Sequence, residues 1–239
     1  MRPQRPDVFH SPGVQTMRTR LFALGLVGAL ACFVILAAHS PADDAKKDKP
    51  AATADDTKDF FNGKDLTGWE GIEKYWTVKD GAIIGSTNGD KISHNTFLCS
   101  KKRYKDFDLS FKVRLKDGAG NSGVQIRSEI ADKDKFTCKG PQADIADGYW
   151  GSLYGELFGG MMKAADKDAV AKVLKKADFN DYSVKVVGKH CTIKLNGLTT
   201  VDQDFDKMPD DGIIAWQLHQ GYVMEVTFKD IKFTDLSKK

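Results

Sequence analysis

The amino-acid sequence predicts an all-β protein, an antiparallel jelly-roll sandwich with one short helix. Segments in which apolar and polar residues alternate dominate from residue 60 onward, and successive residues of a strand face opposite sides of a sheet. Gly, Asn and Asp residues separate these segments at short intervals, as in chains of short antiparallel strands. Because strands do not alternate with helices, a parallel sheet is excluded.

The predicted strands are short and are joined by tight turns. They cover residues 76–79, 82–85, 107–115, 121–129, 141–145, 181–187, 190–195, 212–218 and 223–233. Turn dipeptides mark two hairpins, at Asp80-Gly81 and Gly188-Lys189, and a third tight turn at Asn196-Gly197. Since strongly apolar strands occur near both ends of the domain, we expect the two ends to pair in one sheet.

One segment has helical periodicity. Between residue 166 and about residue 176, Val170, Val173 and Leu174 recur at spacings that place them on one helix face. Asp166 precedes them and can accept hydrogen bonds from the first backbone N–H groups. The segment is therefore predicted to be the single helix of the fold.

The first part of the chain has the composition of an export signal. Arg18 and Arg20 precede an apolar run of eighteen residues, 21–38, and small residues follow it. Residues 1–42 are therefore predicted to be a signal peptide, or else an uncleaved membrane anchor. Residues 43–58 lack apolar periodicity and are predicted to be a disordered linker. The folded domain is expected at 59–237, in an exported protein, periplasmic or secreted.

Charge gives no sign of a polyanionic partner. The formal net charge is +3, and residues 1–42 contain four arginines and one aspartate, so the remaining chain is neutral by formal count. Nucleic acid is not expected as a partner, and a membrane only through the N-terminal segment. Beyond that segment, Cys99, Cys138 and Cys191 allow at most one intrachain disulfide, with buried free thiols as the alternative.

The segment from Asn121 to Glu156 has the composition of a sugar-binding surface. In residues 121–129 and 141–145, apolar side chains alternate with amide, guanidinium and carboxylate groups, so each strand has one buried and one polar face. A loop at 148–156 adds aromatic residues between glycines. Sugars stack on planar rings and pair their hydroxyls with fixed polar groups. The segment therefore predicts a carbohydrate ligand.

Motifs in a fixed order extend this interpretation over the whole domain. They are Phe61-Asn62-Gly63-Lys64-Asp65-Leu66-Thr67-Gly68-Trp69, Tyr104-Lys105-Asp106-Phe107-Asp108-Leu109, Asn121-Ser122-Gly123-Val124, Gly151-Ser152-Leu153-Tyr154, Asn180-Asp181-Tyr182, Leu195-Asn196-Gly197, Gly212-Ile213-Ile214-Ala215-Trp216-Gln217-Leu218-His219 and Met224-Glu225-Val226-Thr227-Phe228-Lys229-Asp230-Ile231. In order and spacing they resemble the 3-keto-disaccharide hydrolase domain family, over roughly residues 58–236. The resemblance implies an exported bacterial protein with a concanavalin A-like jelly-roll sandwich. One strand departs from it: many relatives have Glu and then Gln where this chain has Gln142 and Asp144.

The resemblance also implies substrates that already carry a ketone at sugar C3. The ketone acidifies the C2 proton, so a base can form an enediolate that expels the C1 substituent by β-elimination, and added water completes net hydrolysis. This route requires a base, a group that stabilises the enolate oxygen, and an acid. It does not require the paired carboxylates of ordinary glycosidases, and Glu129 and Asp132 do not reproduce the E-x-D-x-x-E pattern of laminarinase-type sandwiches. A carbohydrate-binding module without catalysis is the alternative function.

Four residues are candidates for the chemistry: His219, Asp144, Arg127 and Glu156. His219 can be the base or a metal ligand, or it can merely close a strand end. Asp144 can also be a base or a metal ligand, and Arg127 can polarise the ketone or hold hydroxyls. The alternative for both is an ion pair, either with each other or between Arg127 and Glu129. Glu156 can be an acid or a solvated loop carboxylate.

The predicted substrate-binding residues are amides and rings on the same face: Gln125, Gln142, Gln217, Tyr149 and Trp150. Trp150 is the preferred stacking platform because glycines surround it, whereas Tyr154 is expected to be packing. We expect Arg127, Gln142 and Asp144 to lie side by side, with Trp150 at the rim.

No cofactor is established by the sequence, but a divalent metal is one hypothesis. Asp144, Glu156 and His219 together offer the oxygen and imidazole ligands that suit Ca²⁺, Mn²⁺ or Zn²⁺. No local ligand spacing supports this set.

Overall fold

The computed structural model describes residues 55–237 and confirms the antiparallel β-sandwich. Seven strands form the first sheet, in the spatial order β1 (Trp69–Glu70), β4 (Thr96–Ser100), β13 (Ile213–Leu218), β6 (Asn121–Asp132), β7 (Thr137–Ala146), β8 (Leu153–Glu156) and β9 (Gly160–Lys163). Seven form the second sheet, in the order β12 (Leu198–Asp204), β11 (His190–Leu195), β10 (Asn180–Val187), β5 (Phe107–Leu115), β14 (Glu225–Asp235), β3 (Ala82–Ser86) and β2 (Trp76–Lys79). The predicted signal peptide and most of the predicted linker lie outside the described residues.

The two ends of the domain meet in the second sheet, as predicted. Strand β14 pairs with β3, and the predicted hairpin of β2 and β3 turns at Asp80, whose φ is +51°. Residues 55–58, which the sequence assigned to the linker, are part of the fold, and this boundary was wrong. The N–H of Asp56 donates to the carbonyl of Phe233 at 3.1 Å, and the ring of Phe60 stacks on Phe233.

Two α-helices occur among residues 55–237, one more than predicted: α1 (Thr57–Phe60) and α2 (Lys167–Val173). Two short 3₁₀ helices lie at Glu73–Tyr75 and Lys116–Gly118. The Asp166 carboxylate caps α2 as expected, accepting from the N–H groups of Asp168 and Ala169 at 3.0 and 3.1 Å. The helix ends at Val173 rather than near residue 176, because Leu174 is extended, with ψ at 127°. Neither helix is long and apolar enough to cross a membrane.

The core lies between the sheets and is rich in aromatic rings. Trp216 of β13 is fully buried and lies against Phe111 and Phe228 of the second sheet, with ring centroids 5.2 and 4.4 Å away. Strand β5 contributes every second residue to this core, in the alternation that the sequence showed. The inner face of the first sheet is therefore occupied, and its outer face remains for a site.

The hairpin of β6 and β7 crosses that outer face. Its tip reaches β4, where the N–H of Phe97 donates to the carbonyl of Phe136 at 2.9 Å and the Thr96 hydroxyl donates to the carbonyl of Lys135 at 2.9 Å. Further on, Lys133 forms an ion pair with Glu70 of β1. The tip, residues 132–137, thus passes over β13 and covers part of the outer face.

Candidate functional site

A β-bulge in β6 removes Arg127 from the outer face, so its predicted position beside Gln142 and Asp144 was wrong. Between Gln125 and Ser128, β6 has one residue more than β13, and Arg127 takes a φ of +45°. The extra residue reverses the alternation. Gly212 leaves room for the bulge, since a Cβ there would lie 2.2 Å from the Arg127 carbonyl carbon.

Arg127 instead has a structural role at the end of the sandwich. Its guanidinium is 1% exposed, pairs with Asp106 at 2.8 Å, and donates to the carbonyls of Lys105, Gly188 and Pro209. Burial lowers the pKa of Arg127, and the Asp106 carboxylate opposes that shift. Arg127 therefore has neither the predicted contact with substrate nor the alternative ion pair with Asp144 or Glu129, and pairs with Asp106 instead.

On the outer face, polar side chains form a continuous hydrogen-bonded row. The Ser128 hydroxyl donates to Oε1 of Gln125 at 2.5 Å, and Nε2 of Gln125 donates to Oε1 of Gln142 at 3.0 Å. Nε2 of Gln142 then donates to Oδ1 of Asp144 at 2.8 Å and to Oε1 of Gln217 at 3.2 Å. Asp144 thus lies at the end of the row, where its carboxyl accepts a hydrogen bond from the amide of Gln142.

Gln125 and Gln217 support this row from beneath the surface. Both are fully buried, and Nε2 of Gln217 has no acceptor within residues 55–237. They were predicted to contact substrate, but neither lines the cleft described below. Of the three predicted glutamines, only Gln142 lines that cleft.

Gly123 makes space for the side chain of Gln142, which donates a hydrogen bond to Asp144. A Cβ at Gly123 would lie 2.6–2.7 Å from three atoms of the Gln142 side chain. Gly123 is also the cross-strand partner of Asp144. The missing side chain therefore lets Gln142 lie flat across β6 and leaves no neighbouring side chain beside Asp144 on that strand.

A cleft of about 340 Å³ opens at the end of this row. Its lining residues are Asn95, Asn121, Gln142, Asp144, Ala146, Tyr149, Tyr154, Glu156 and His219. Asp144 is 7% exposed, and burial raises its pKa to about 7; the hydrogen bond from Gln142 opposes the shift, and the charge of Glu156 adds to it. The carboxyl of Asp144 can thus give or take a proton near neutral pH.

The backbone of Asp144 is held from two sides. Its N–H donates to the carbonyl of Ser152 at 2.9 Å, and its carbonyl accepts from the N–H of Gly151 at 3.0 Å and from the hydroxyl of Tyr182 at 3.0 Å. Tyr182 belongs to the second sheet, so both sheets fix the position of this residue.

His219, which follows β13, brings an imidazole to the same cleft, as predicted. Its Nδ1 lies 2.8 Å from the carbonyl of Gln220, which can only accept, so Nδ1 carries the hydrogen. In the neutral ring, Nε2 then has a lone pair. The ring of Tyr222 lies edge-on, with centroids 5.5 Å apart.

Asn95, which sequence reasoning missed, links the two walls of the cleft. Its Nδ2 donates to Oε1 of Glu156 at 2.9 Å, and its Oδ1 accepts from the N–H of Gln220 at 3.0 Å. It therefore positions both Glu156 and the turn that carries His219. Asn95 lies outside the segment 121–156, and no motif pointed to it.

Tyrosines, rather than Trp150, form the aromatic part of the cleft. Trp150 is 7% exposed and belongs to the core, against Val170 and Leu174. Its predicted place at the rim was therefore wrong. Tyr149 is 48% exposed, and Tyr154, expected to be packing, is half-buried and lines the cleft beside Gln142.

The predicted metal ligands do not form a metal site. Asp144, Glu156 and His219 line one cleft, but residues 55–237 contain no group of three His, Cys, Asp or Glu arranged to hold a metal ion. Oδ1 of Asp144 and Oε1 of Glu156 already accept from amides.

A larger groove, of about 630 Å³, lies elsewhere, along the edge strands β1 and β2. It is lined by Trp69, Trp76 and charged side chains that are exposed or half-buried. The smaller cleft is the better candidate because it holds a buried carboxyl that titrates near neutral pH.

The two sheets and the polar cleft define a jelly-roll sandwich with a candidate site on one outer face. More narrowly, a family model described as a 3-keto-alpha-glucoside-1,2-lyase-like domain matches residues 56–234. The chain belongs to this family, which confirms the resemblance that its motifs showed.

Solved structures share the fold at low sequence identity. A candidate glycosyl hydrolase from Parabacteroides distasonis ATCC 8503 is 22% identical, with a TM-score of 0.52 over 74% of this chain and 92% of its own. The carbohydrate-binding module CBM66 from Bacillus subtilis is 16% identical, with a TM-score of 0.52 over 70% and 95%. A search of curated proteins gives no match.

Proposed function

We propose that this protein cleaves 3-keto-glycosides, including 3-keto-disaccharides, by β-elimination followed by hydration. The observation that carries the proposal is Asp144, a buried carboxyl without a cationic partner in the cleft, whose pKa is raised to about 7. Such a group is suited to proton transfer and poorly suited to a purely structural role. Family membership supports the substrate class.

The cleft supplies a group for each requirement of the elimination. His219 removes the C2 proton with Nε2 and returns it to the oxygen that leaves C1. Asp144, in its neutral form, donates a hydrogen bond to the C3 oxygen as negative charge develops there. Glu156, held by Asn95, orients the water that adds its oxygen to C1, and the proton of that water passes through His219 to C2. Because Asp144 must be protonated, kcat/KM should fall as pH rises through about 7.

The test compares a 3-keto-disaccharide with the same disaccharide unoxidised. We expect sugar release from the keto form alone, and we expect His219→Ala to abolish turnover while substrate still binds. Release from both sugars or from neither contradicts the proposal, and a fully active His219→Ala variant removes His219 from the mechanism.

A carbohydrate-binding module is the second candidate function. The exposed ring of Tyr149 and the amides of Asn95 and Asn121 at the cleft can hold a sugar without any proton transfer. Titration with plain and 3-keto-oligosaccharides separates the two functions, since binding without turnover identifies a module.

We also propose that the protein is exported, on the strength of the apolar run at residues 21–38 behind Arg18 and Arg20. Cell fractionation with N-terminal sequencing tests this. Cytoplasmic protein with an intact N-terminus contradicts it.

A further inference from the structure

Two cysteines meet where the crossing hairpin reaches β4. Cys99 lies on β4 and Cys138 on β7, and their Sγ atoms are 3.7 Å apart. In the first sheet, β13 and β6 separate these strands. The thiols are neighbours only because residues 132–137 pass over the outer face and dock on β4.

The surroundings of the pair are apolar. Both thiols are fully buried, in a small cluster with Phe97, Ile213 and Ala215 that is separate from the core between the sheets. Burial raises the pKa of Cys138, and the neighbouring thiol adds to the shift. The thiol of Cys138 is therefore protonated in the fold, and both sulfurs are closed to an external oxidant. Chemistry between the two sulfurs thus takes place while the hairpin is still undocked.

The remaining cysteine of the domain is not a competing partner. Cys191 is buried in the other apolar cluster, the core between the sheets, on β11 of the second sheet. A bridge can thus form between Cys99 and Cys138 alone without disturbing the sandwich.

We propose that Cys99 and Cys138 form a disulfide that fastens the crossing hairpin to β4. The reaction is thiol–disulfide exchange: each thiol loses its proton, the two sulfurs bond, and the two electrons reduce an external disulfide, such as oxidised glutathione, to two thiols. The Sγ atoms must approach from 3.7 Å to about 2.05 Å. The bridge fixes one wall of the outer face, next to the buried row that ends at Asp144.

The experiment uses the full chain, denatured, reduced and refolded in a glutathione redox buffer. Free thiols are then blocked with N-ethylmaleimide under denaturing conditions, and peptides are analysed by mass spectrometry. We expect one linked peptide pair, about 2 Da lighter than the two reduced peptides, that joins Cys99 to Cys138, with Cys191 blocked. Protein refolded without oxidant, which keeps both thiols, should have a Tm about 5–15 °C lower than the bridged protein.

Two variants serve as controls. The double variant Cys99→Ala/Cys138→Ala should have the same Tm whether it is refolded with or without oxidant. Cys191→Ala should keep both the bridge and the difference in Tm between the two preparations. Three outcomes overturn the proposal. They are refolded protein in which N-ethylmaleimide has blocked Cys99 and Cys138, a mixed disulfide with glutathione at either sulfur, and a bridge that includes Cys191.

Discussion

Replacement of Asp144 by asparagine is expected to stabilise the protein, and more so at high pH. The pKa of Asp144 is about 7 in the folded state and near 3.8 when the chain is unfolded. Because the pKa of Asp144 is raised in the folded state, ionisation of this carboxyl destabilises the fold. This destabilisation is absent below the pKa of the unfolded chain, grows between the two pKa values, and is complete above the pKa of the folded state. At 1.36 kcal/mol per unit, the free energy of unfolding should rise by about 4 kcal/mol near pH 8.5 in Asp144→Asn, and by less than about 2 kcal/mol at pH 5.

The assay is urea unfolding of both proteins at these two pH values. Asparagine keeps the acceptor for Nε2 of Gln142, so the packing of the row is preserved. Asp211→Asn is the matched control: the hydrogen bond from Arg103 lowers the pKa of Asp211, so its loss should destabilise at high pH, with the opposite sign. An equal change at both pH values in Asp144→Asn would refute the reasoning, since Asp144 would then not titrate in this range.

Three further substitutions test other parts of the structure. Arg127→Met should cost about 2–4 kcal/mol of unfolding free energy in urea, because three carbonyls and the half-buried Asp106 carboxylate lose their guanidinium donor. Arg103→Met at the surface should cost less than about 1 kcal/mol, and equal costs for the two variants would contradict the structural role of Arg127. Gly123→Ala should displace the Gln142 side chain and lower the free energy of unfolding by about 1–3 kcal/mol. The pKa of Asp144, followed by NMR titration, should rise because its amide donor moves away. An unchanged pKa would contradict the close contact between position 123 and Gln142. Tyr149→Ala should raise KM for a 3-keto-glycoside about 5–10-fold and leave kcat unchanged, because the tyrosine ring stacks on the sugar. A variant that loses only kcat would exclude stacking as the role of Tyr149.

The strands were predictable because their signals are local. The alternation over residues 107–115 and the dipeptide Asp80-Gly81 depend only on neighbours in the chain, and both are reproduced by β5 and by the turn of β2 and β3. The Asp166 cap is equally local. The sandwich itself followed from the number of such segments and from the resemblance.

The site was predicted less completely because its geometry is not local. Strict alternation placed Arg127 beside Asp144, but one extra residue in β6 reverses the alternation from that point, and no residue type between Gln125 and Ser128 announces it. Asn95 was missed since it approaches Glu156 from sixty-one residues away. Trp150 and Tyr149 are adjacent in a loop, where alternation does not decide which ring is buried.

Burial raises the pKa of Asp144, and the direction of the hydrogen bonds in the outer-face row limits that rise. The Ser128 hydroxyl donates to Gln125, which orients that amide so that its Nε2 donates to Gln142, and the amide of Gln142 is in turn oriented with Nε2 toward Asp144. The row therefore aims one amide donor at the carboxyl, and the same Nε2 of Gln142 also donates to Gln217. Burial alone disfavours the charged form, and a donor aimed at Oδ1 partly restores it. Removal of a donor from the row should consequently raise the pKa of Asp144 further. Because the proposed reaction uses the protonated carboxyl, the fall of kcat/KM should then move to higher pH.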